Sequence, residues 1–181
     1  MPSPDEIGLY IHIPFCRAKC AYCDFNSYAG LEHLFDGYTR ALVQEMRTVG
    51  RMLQTPAVRF KVETIYLGGG TPTALPLTLL IDILRALRQV FLPASDIEIT
   101  IEANPGAVGK GYLASLLDEG VNRLSLGVQS FDDDFLRLLR RIHTADEARA
   151  SYRLARQAGF DNINFDLIYA LPGQTLTAWQ D

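Results

Sequence analysis

The sequence predicts an α/β fold built on a parallel sheet, and three observations predict it. Short runs rich in β-branched and aromatic residues alternate with longer amphipathic stretches along the whole chain. The stretches between the strand runs are long enough for crossover helices, which parallel pairing requires. Gly120 and Gly159 stand where helix stop signals belong, just ahead of the next strand run.

The elements follow in order. "IGLYIHI" (7–13) reads as the first strand, and an amphipathic stretch at 34–53 as the first long helix. "ETIYLGG" (63–69) is the second strand, followed by a helix over 76–90. "IEITIEA" (97–103) precedes a helix at 108–119, and "NRLSLGV" (122–128) precedes helices at 132–140 and 145–158. "NINFDLIYAL" (162–171) is the fifth strand, and Thr175 opens what reads as a further helix. The βαβ repetition implies right-handed crossovers. A helix opening directly after the fifth strand is an awkward end for a closed barrel, so the chain is expected to belong to a longer one. An open five-stranded sheet, complete as written, is the alternative. Met46, Met52 and Trp179 are expected to serve packing.

A chain of 181 residues with 48% hydrophobic and 21% charged residues can bury a sizeable core as one domain. Its net charge of −4 gives no basic footprint for nucleic acid. No apolar run approaches the ~20 residues of a transmembrane helix. The opening "MPSPDEIGLY" shows no signal-peptide pattern. An odd number of clustered thiols fits a reducing compartment, and the expected location is cytoplasmic.

The three cysteines, Cys16, Cys20 and Cys23, fall within eight residues as C-x3-C-x2-C. They are too few and too close to staple a fold by disulfides. A structural zinc site usually takes four ligands, and His33 is the nearest candidate for a fourth. Soft thiolates equally suit an iron–sulfur cluster, commonly held by four cysteines. Three thiolates on a 4Fe–4S cube would leave one iron open to a ligand. Packing as three small hydrophobes is the plain alternative. The trio follows directly on the C-terminal end of the first strand, where parallel α/β folds build their sites.

With Tyr22 ahead of the last cysteine, "LYIHIPFCRAKCAYCDF" resembles the radical S-adenosylmethionine (SAM) superfamily. Within it, the segment resembles the oxygen-independent coproporphyrinogen III oxidases and the related HemW-type heme chaperones. The resemblance implies a radical SAM core domain over 1–181, five βα units of a six-unit parallel (β/α) partial barrel whose C-terminal part is missing. It implies that the cysteines hold a 4Fe–4S cluster. The open iron would chelate the methionine end of SAM, and an electron from the cluster would release a 5′-deoxyadenosyl radical.

"YLGGGTPTAL" lacks the Lys of a phosphate loop, and Thr73 stands where a dinucleotide fingerprint needs its last Gly. Its glycines allow close backbone approach, and by resemblance Gly70 and Thr71 belong to the segment that receives the bound methionine's amino group. Glu102, Gln129 and Asp166 are polar residues at strand ends. Each alone reads as a cap or loop residue, while together they fit a ring around a ligand. By resemblance, Glu102 and Asp166 face the ribose and adenine side of SAM. Gln129 and Arg141 match its polar contacts, and Tyr10 and Tyr22 its aromatic ones. Arg141, beside Arg140 at a helix end, reads equally as a solvated charge. His12, four residues before Cys16, is better placed to position the cysteine loop than to ligate a metal, and a ligand role for His143 is also disfavoured.

By the resemblance, the oxidases carry a fourth cysteine two residues after the third, where this chain has Phe25, and an N-terminal extension ahead of the first strand, where six residues precede Ile7 in this sequence. Both departures favour a heme chaperone, with porphyrinogen oxidation as the alternative and a plain electron carrier as a third reading. An enzymatic reaction is therefore left open. Implied partners are heme or a porphyrinogen, heme-acceptor proteins and a reducing flavoprotein or ferredoxin.

Overall fold

A computed structural model describes residues 6–53, 61–91 and 93–180. In chain order the strands are β1 (Glu6–Ile13), β2 (Phe15–Cys16), β3 (Tyr28–Ala29), β4 (Lys61–Gly69), β5 (Pro93–Ala103), β6 (Arg123–Gln129) and β7 (Asn162–Leu167). The helices are α1 (Phe35–Leu53), α2 (Leu77–Val90), α3 (Lys110–Asp118), α4 (Asp133–Leu138), α5 (Ala145–Ala158) and α6 (Leu176–Gln180). Five strands form one parallel sheet in the order β1-β4-β5-β6-β7, and β2 pairs with β3 beside it. Each strand of the large sheet is added on the same side as its predecessor. Crossovers of one hand then lay all their helices against one face.

The side chains divide accordingly, with the period of two that a strand imposes. Ile11, Ile13, Ile65, Leu67, Ile99, Ile101, Leu124, Leu126 and Val128 are buried, in one cluster with Leu80, Ile83, Leu84 and Leu87 of α2 and Leu113 and Leu116 of α3. The alternate positions carry Tyr10 and His12, Tyr66 and Gly68, Thr100 and Glu102, Ser125 and Gly127, Asn164 and Asp166. Register aligns these across the sheet: Tyr10 with Tyr66, Tyr66 with Thr100, Glu102 with Ser125 and Ser125 with Asn164. A doubly wound sheet would be apolar on both faces. One apolar face under helices and one polar face is the wall of a partial barrel.

The differences from expectation have local causes. The fifth strand ends at Leu167 because Ala170 adopts φ 58° and the chain turns at Leu171–Gln174, with Gln174 N–H donating to Leu171 O. α4 stops at Leu138 because Arg140, at φ 54°, takes the left-handed conformation that ends a helix. β5 starts earlier than expected, at Pro93. Met46 is buried as expected, whereas Met52 and Trp179 are exposed.

Candidate functional site

The cysteine loop is stitched down at its base. Phe15 and Cys16 pair with Tyr28 and Ala29, and Tyr28 N–H donates to Pro14 O at 2.7 Å. Phe15 is buried against the rings of Phe35 and Tyr38, with centroids 4.7 and 5.1 Å away. The strand-end glycines hold the loop from the other side: Gly70 N–H donates to Ile13 O at 2.8 Å and Thr71 N–H to Phe15 O at 2.7 Å. A Cβ on Gly70 would stand 2.5 Å from the Phe15 carbonyl oxygen. The absent side chain thus admits the loop's own backbone, a reason beyond the ligand approach expected for it.

His12 fixes the loop's far end. Its Nε2 lies 2.8 Å from Asn26 O and must carry the proton, since a carbonyl only accepts. That leaves Nδ1 to accept from Tyr10 Oη at 3.1 Å. Lys19 Nζ donates to Phe25 O and to Ser27 Oγ, both at 2.9 Å.

The three thiols are free and partly exposed, and each has a polar partner. Arg141 Nη1 is 3.1 Å from Cys20 Sγ, Thr71 Oγ1 is 3.8 Å from Cys16 Sγ, and Ser27 Oγ is 3.8 Å from Cys23 Sγ. The Arg141 N–H aimed at Cys20, the hydroxyls beside Cys16 and Cys23, and the cationic groups of Lys19 and Arg141 suit ligands that carry negative charge. Among the described residues no three His, Cys, Asp or Glu side chains converge as on a single metal ion, and His33 is exposed. Soft thiolates are the ligands that iron–sulfur clusters take. The donor set fits an iron–sulfur cluster.

Glu102 lies across the end of β4. Tyr66 Oη donates to its Oε1 at 2.7 Å and Gly69 N–H to its Oε2 at 3.2 Å. Burial pushes the carboxyl up, while these two hydrogen bonds pull it back. Asp166 accepts from Ser125 Oγ at 3.0 Å and from Asn164 Nδ2 at 2.8 Å. Gln129 ends β6 at φ 69°, an uncommon conformation for a residue with a side chain. Tyr10 is exposed beside Tyr66, with ring centroids 6.1 Å apart. Burial pushes the Tyr22 hydroxyl up to about 12, against the lowering effect of Arg141 nearby.

Arg141 is no solvated helix-end charge. Besides Cys20, its guanidinium donates to Asn104 Oδ1 at 2.6 Å and Gly127 O at 2.5 Å. Because Asn104 also donates to Thr71 Oγ1, Cys16, Cys20, Thr71 and Arg141 meet through it in one hydrogen-bonded group, while Glu102 and Asp166 lie along the polar face of the sheet. Sequence reasoning missed Tyr66, Asn104, Ser125 and Asn164. The polar alternation along β4, β6 and β7 signals three of these, and Asn104 stands in the "EANP" segment already marked by Glu102. His143 is buried with Nε2 on Val128 O at 3.1 Å, a structural contact.

The family model described as the Radical SAM superfamily matches residues 10–181. A heme chaperone HemW of Bacillus subtilis (strain 168) is 44% identical over 169 residues, covering 92% of this chain and 43% of that protein. An oxygen-independent coproporphyrinogen III oxidase of Bradyrhizobium diazoefficiens is 37% identical over 182 residues, covering 100% of this chain and 40% of the relative. The solved coproporphyrinogen III oxidase (HemN) of Escherichia coli, described as a radical SAM enzyme, superposes with a TM-score of 0.86 at 36% identity. That superposition covers 96% of this chain and 39% of the solved one. The chain spans less than half the length of these relatives.

Proposed function

We propose, from the premise that this chain belongs to the radical SAM superfamily, that it is the cluster- and SAM-binding core of a heme chaperone. The family implies a 4Fe–4S cluster and SAM, and in this reading Cys16, Cys20 and Cys23 hold the cluster. When bound, the pair supplies one-electron cleavage of a sulfonium bond, chemistry that belongs to the cofactors. The chain's own residues bind and orient. Arg141 and Thr71 offer hydrogen bonds to the sulfurs of Cys20 and Cys16, and the Ser27 hydroxyl lies beside that of Cys23. Gly70, Thr71, Glu102, Gln129, Arg141 and Asp166, with Tyr10 and Tyr22, are the SAM contacts. Tyr66 and Gly69 fix the Glu102 carboxylate across the strand ends, and His12 pins the loop.

The single observation that carries the chaperone reading over the oxidase one is Phe25. By the resemblance it occupies the position of the oxidases' fourth cysteine, and it is 69% exposed, with Tyr28 also exposed at the end of the same loop. Such aromatics offer a surface on which a flat apolar macrocycle can stack. Heme is the proposed cargo, heme-acceptor proteins its destination, and a flavoprotein or ferredoxin the reductant. A reducing cytoplasm is the compartment that keeps three clustered thiols free. The oxidase reading rests on the match to the Bradyrhizobium protein across the whole chain.

Anaerobically reconstituted protein separates the two. Titrated heme should develop a stable Soret band, while coproporphyrinogen incubated with SAM and reductant should keep its propionate carboxyls. Steady decarboxylation of coproporphyrinogen would show the oxidase instead. Among the described residues no helix is long and apolar enough to cross a membrane.

A further inference from the structure

We infer that Asn104 is a positioning residue for the cluster, one amide that aims a hydrogen-bond donor at each of two ligand sulfurs. The inference rests on the reading of Cys16, Cys20 and Cys23 as cluster ligands. Asn104 follows β5 directly and is half-buried. Its Oδ1 accepts from Arg141 Nη2, which Gly127 O also holds, so the other arm of the fork, Nη1, is left against Cys20 Sγ. On its other side, Asn104 Nδ2 donates to Thr71 Oγ1 at 2.9 Å.

A hydroxyl has one hydrogen to give. With Thr71 Oγ1 receiving the amide N–H, that hydrogen is free for Cys16 Sγ, 3.8 Å away. A thiolate only accepts, so the direction is fixed once the cysteine is a ligand. The path Cys20–Arg141–Asn104–Thr71–Cys16 thus closes on two corners of the cluster site, with Asn104 at its centre. Gly127 leaves room for this convergence. A Cβ there would stand 3.1 Å from both Asn104 Oδ1 and Gln129 Nε2, and 3.5 Å from Arg141 Nη2.

Hydrogen bonds to ligand sulfurs favour the reduced cluster and raise its potential. Removing the central amide should therefore lower it. The cluster's midpoint potential is read by redox titration with electron paramagnetic resonance in the reconstituted wild type and in Asn104→Leu, Thr71→Val, Thr71→Ser and the Asn104→Leu/Thr71→Val double variant. Leu nearly matches Asn in shape, and Asn104 borders a cavity with Arg17 and Ala107, which gives the replacement room. Asn104→Leu and Thr71→Val should each shift the potential down, and Thr71→Ser, which keeps the hydroxyl, should leave it at the wild-type value. The double variant should fall by less than the sum of the singles, because Leu already releases the Thr71 hydroxyl. An unshifted Asn104→Leu potential, or a strictly additive double variant, overturns the relay. Should Asn104→Leu not fold, equal potentials for Thr71→Val and Thr71→Ser overturn it as well. A wild type that assembles no cluster sinks the cluster reading and this inference with it, whereas clusters present at one common potential sink the relay alone.

Discussion

Gly70 couples the two halves of the site through the space of one missing methyl group. A Cβ there would stand 2.5 Å from the Phe15 carbonyl oxygen and 2.9 Å from its carbonyl carbon and nitrogen. All three are backbone atoms immediately ahead of Cys16, in a segment buried by Phe35 and Tyr38, so they have little freedom to yield. Gly70→Ala should lower the iron and sulfide content severalfold and destabilise the protein by about 1–3 kcal/mol, the usual range for overpacking. Gly109, whose Cβ would meet nothing within 4 Å, is the control, and Gly109→Ala should retain its cluster. Equal cluster content in the two variants would disprove the coupling. The cysteines stood out in the sequence by their spacing and the glycines by their resemblance to a family segment, because thiolate ligation and close approach each restrict the residue type. Asn104 and the role of Arg141 were not legible. Their meaning comes from the junction of the loops after β5 and α4, distant in sequence, and an amide or a guanidinium is compatible with many solvated positions.

At the scale of elements, the ends of helices carry the site as much as the strands do. The segment between α4 and α5 presents Arg141, and its exit is fixed by a capping box at α5. Thr144 Oγ1 accepts from Glu147 N–H at 3.2 Å while Glu147 Oε2 accepts from Thr144 N–H at 2.7 Å. Thr144→Ala should cost about 1 kcal/mol, which for a domain of this size lowers Tm by roughly 2–4 °C. A melt unchanged within error would show that packing alone holds α5. Five strands were legible from composition because each carries an apolar half, such as Leu124, Leu126 and Val128, that must face helices. The two-residue strands β2 and β3 were not, since they are too short for a period and owe their pairing to how the cysteine loop closes. The ends of β7 and α4 were misplaced for a related reason. Ala170 and Arg140 adopt left-handed backbone conformations that side-chain propensity does not announce.

At the scale of the whole molecule, the polar junction around the site makes stability depend on pH. His143, two residues before α5, has Nε2 on Val128 O, and among the described residues its buried Nδ1 has no hydrogen-bond partner. Burial holds it neutral, lowering its pKa from the ordinary 6.5 to about 4; the Arg141 guanidinium works the same way, while Val128 O, Glu147 and Asp133 oppose the shift. Between pH 6.5 and 4 the unfolded chain therefore binds a proton that the folded chain refuses. The stability that this histidine contributes is complete above pH 6.5 and is lost as pH falls toward 4. At about 1.4 kcal/mol per unit of separation, the loss amounts to a few kcal/mol across that window. His143→Gln can still donate to Val128 O but cannot titrate. Urea unfolding at stepped pH should show a wild type that weakens from pH 6.5 downward and a variant whose curve is flatter over the same range. Parallel curves would mean that the imidazole takes up its proton without unfolding, and that the junction between β6 and α5 is open to water.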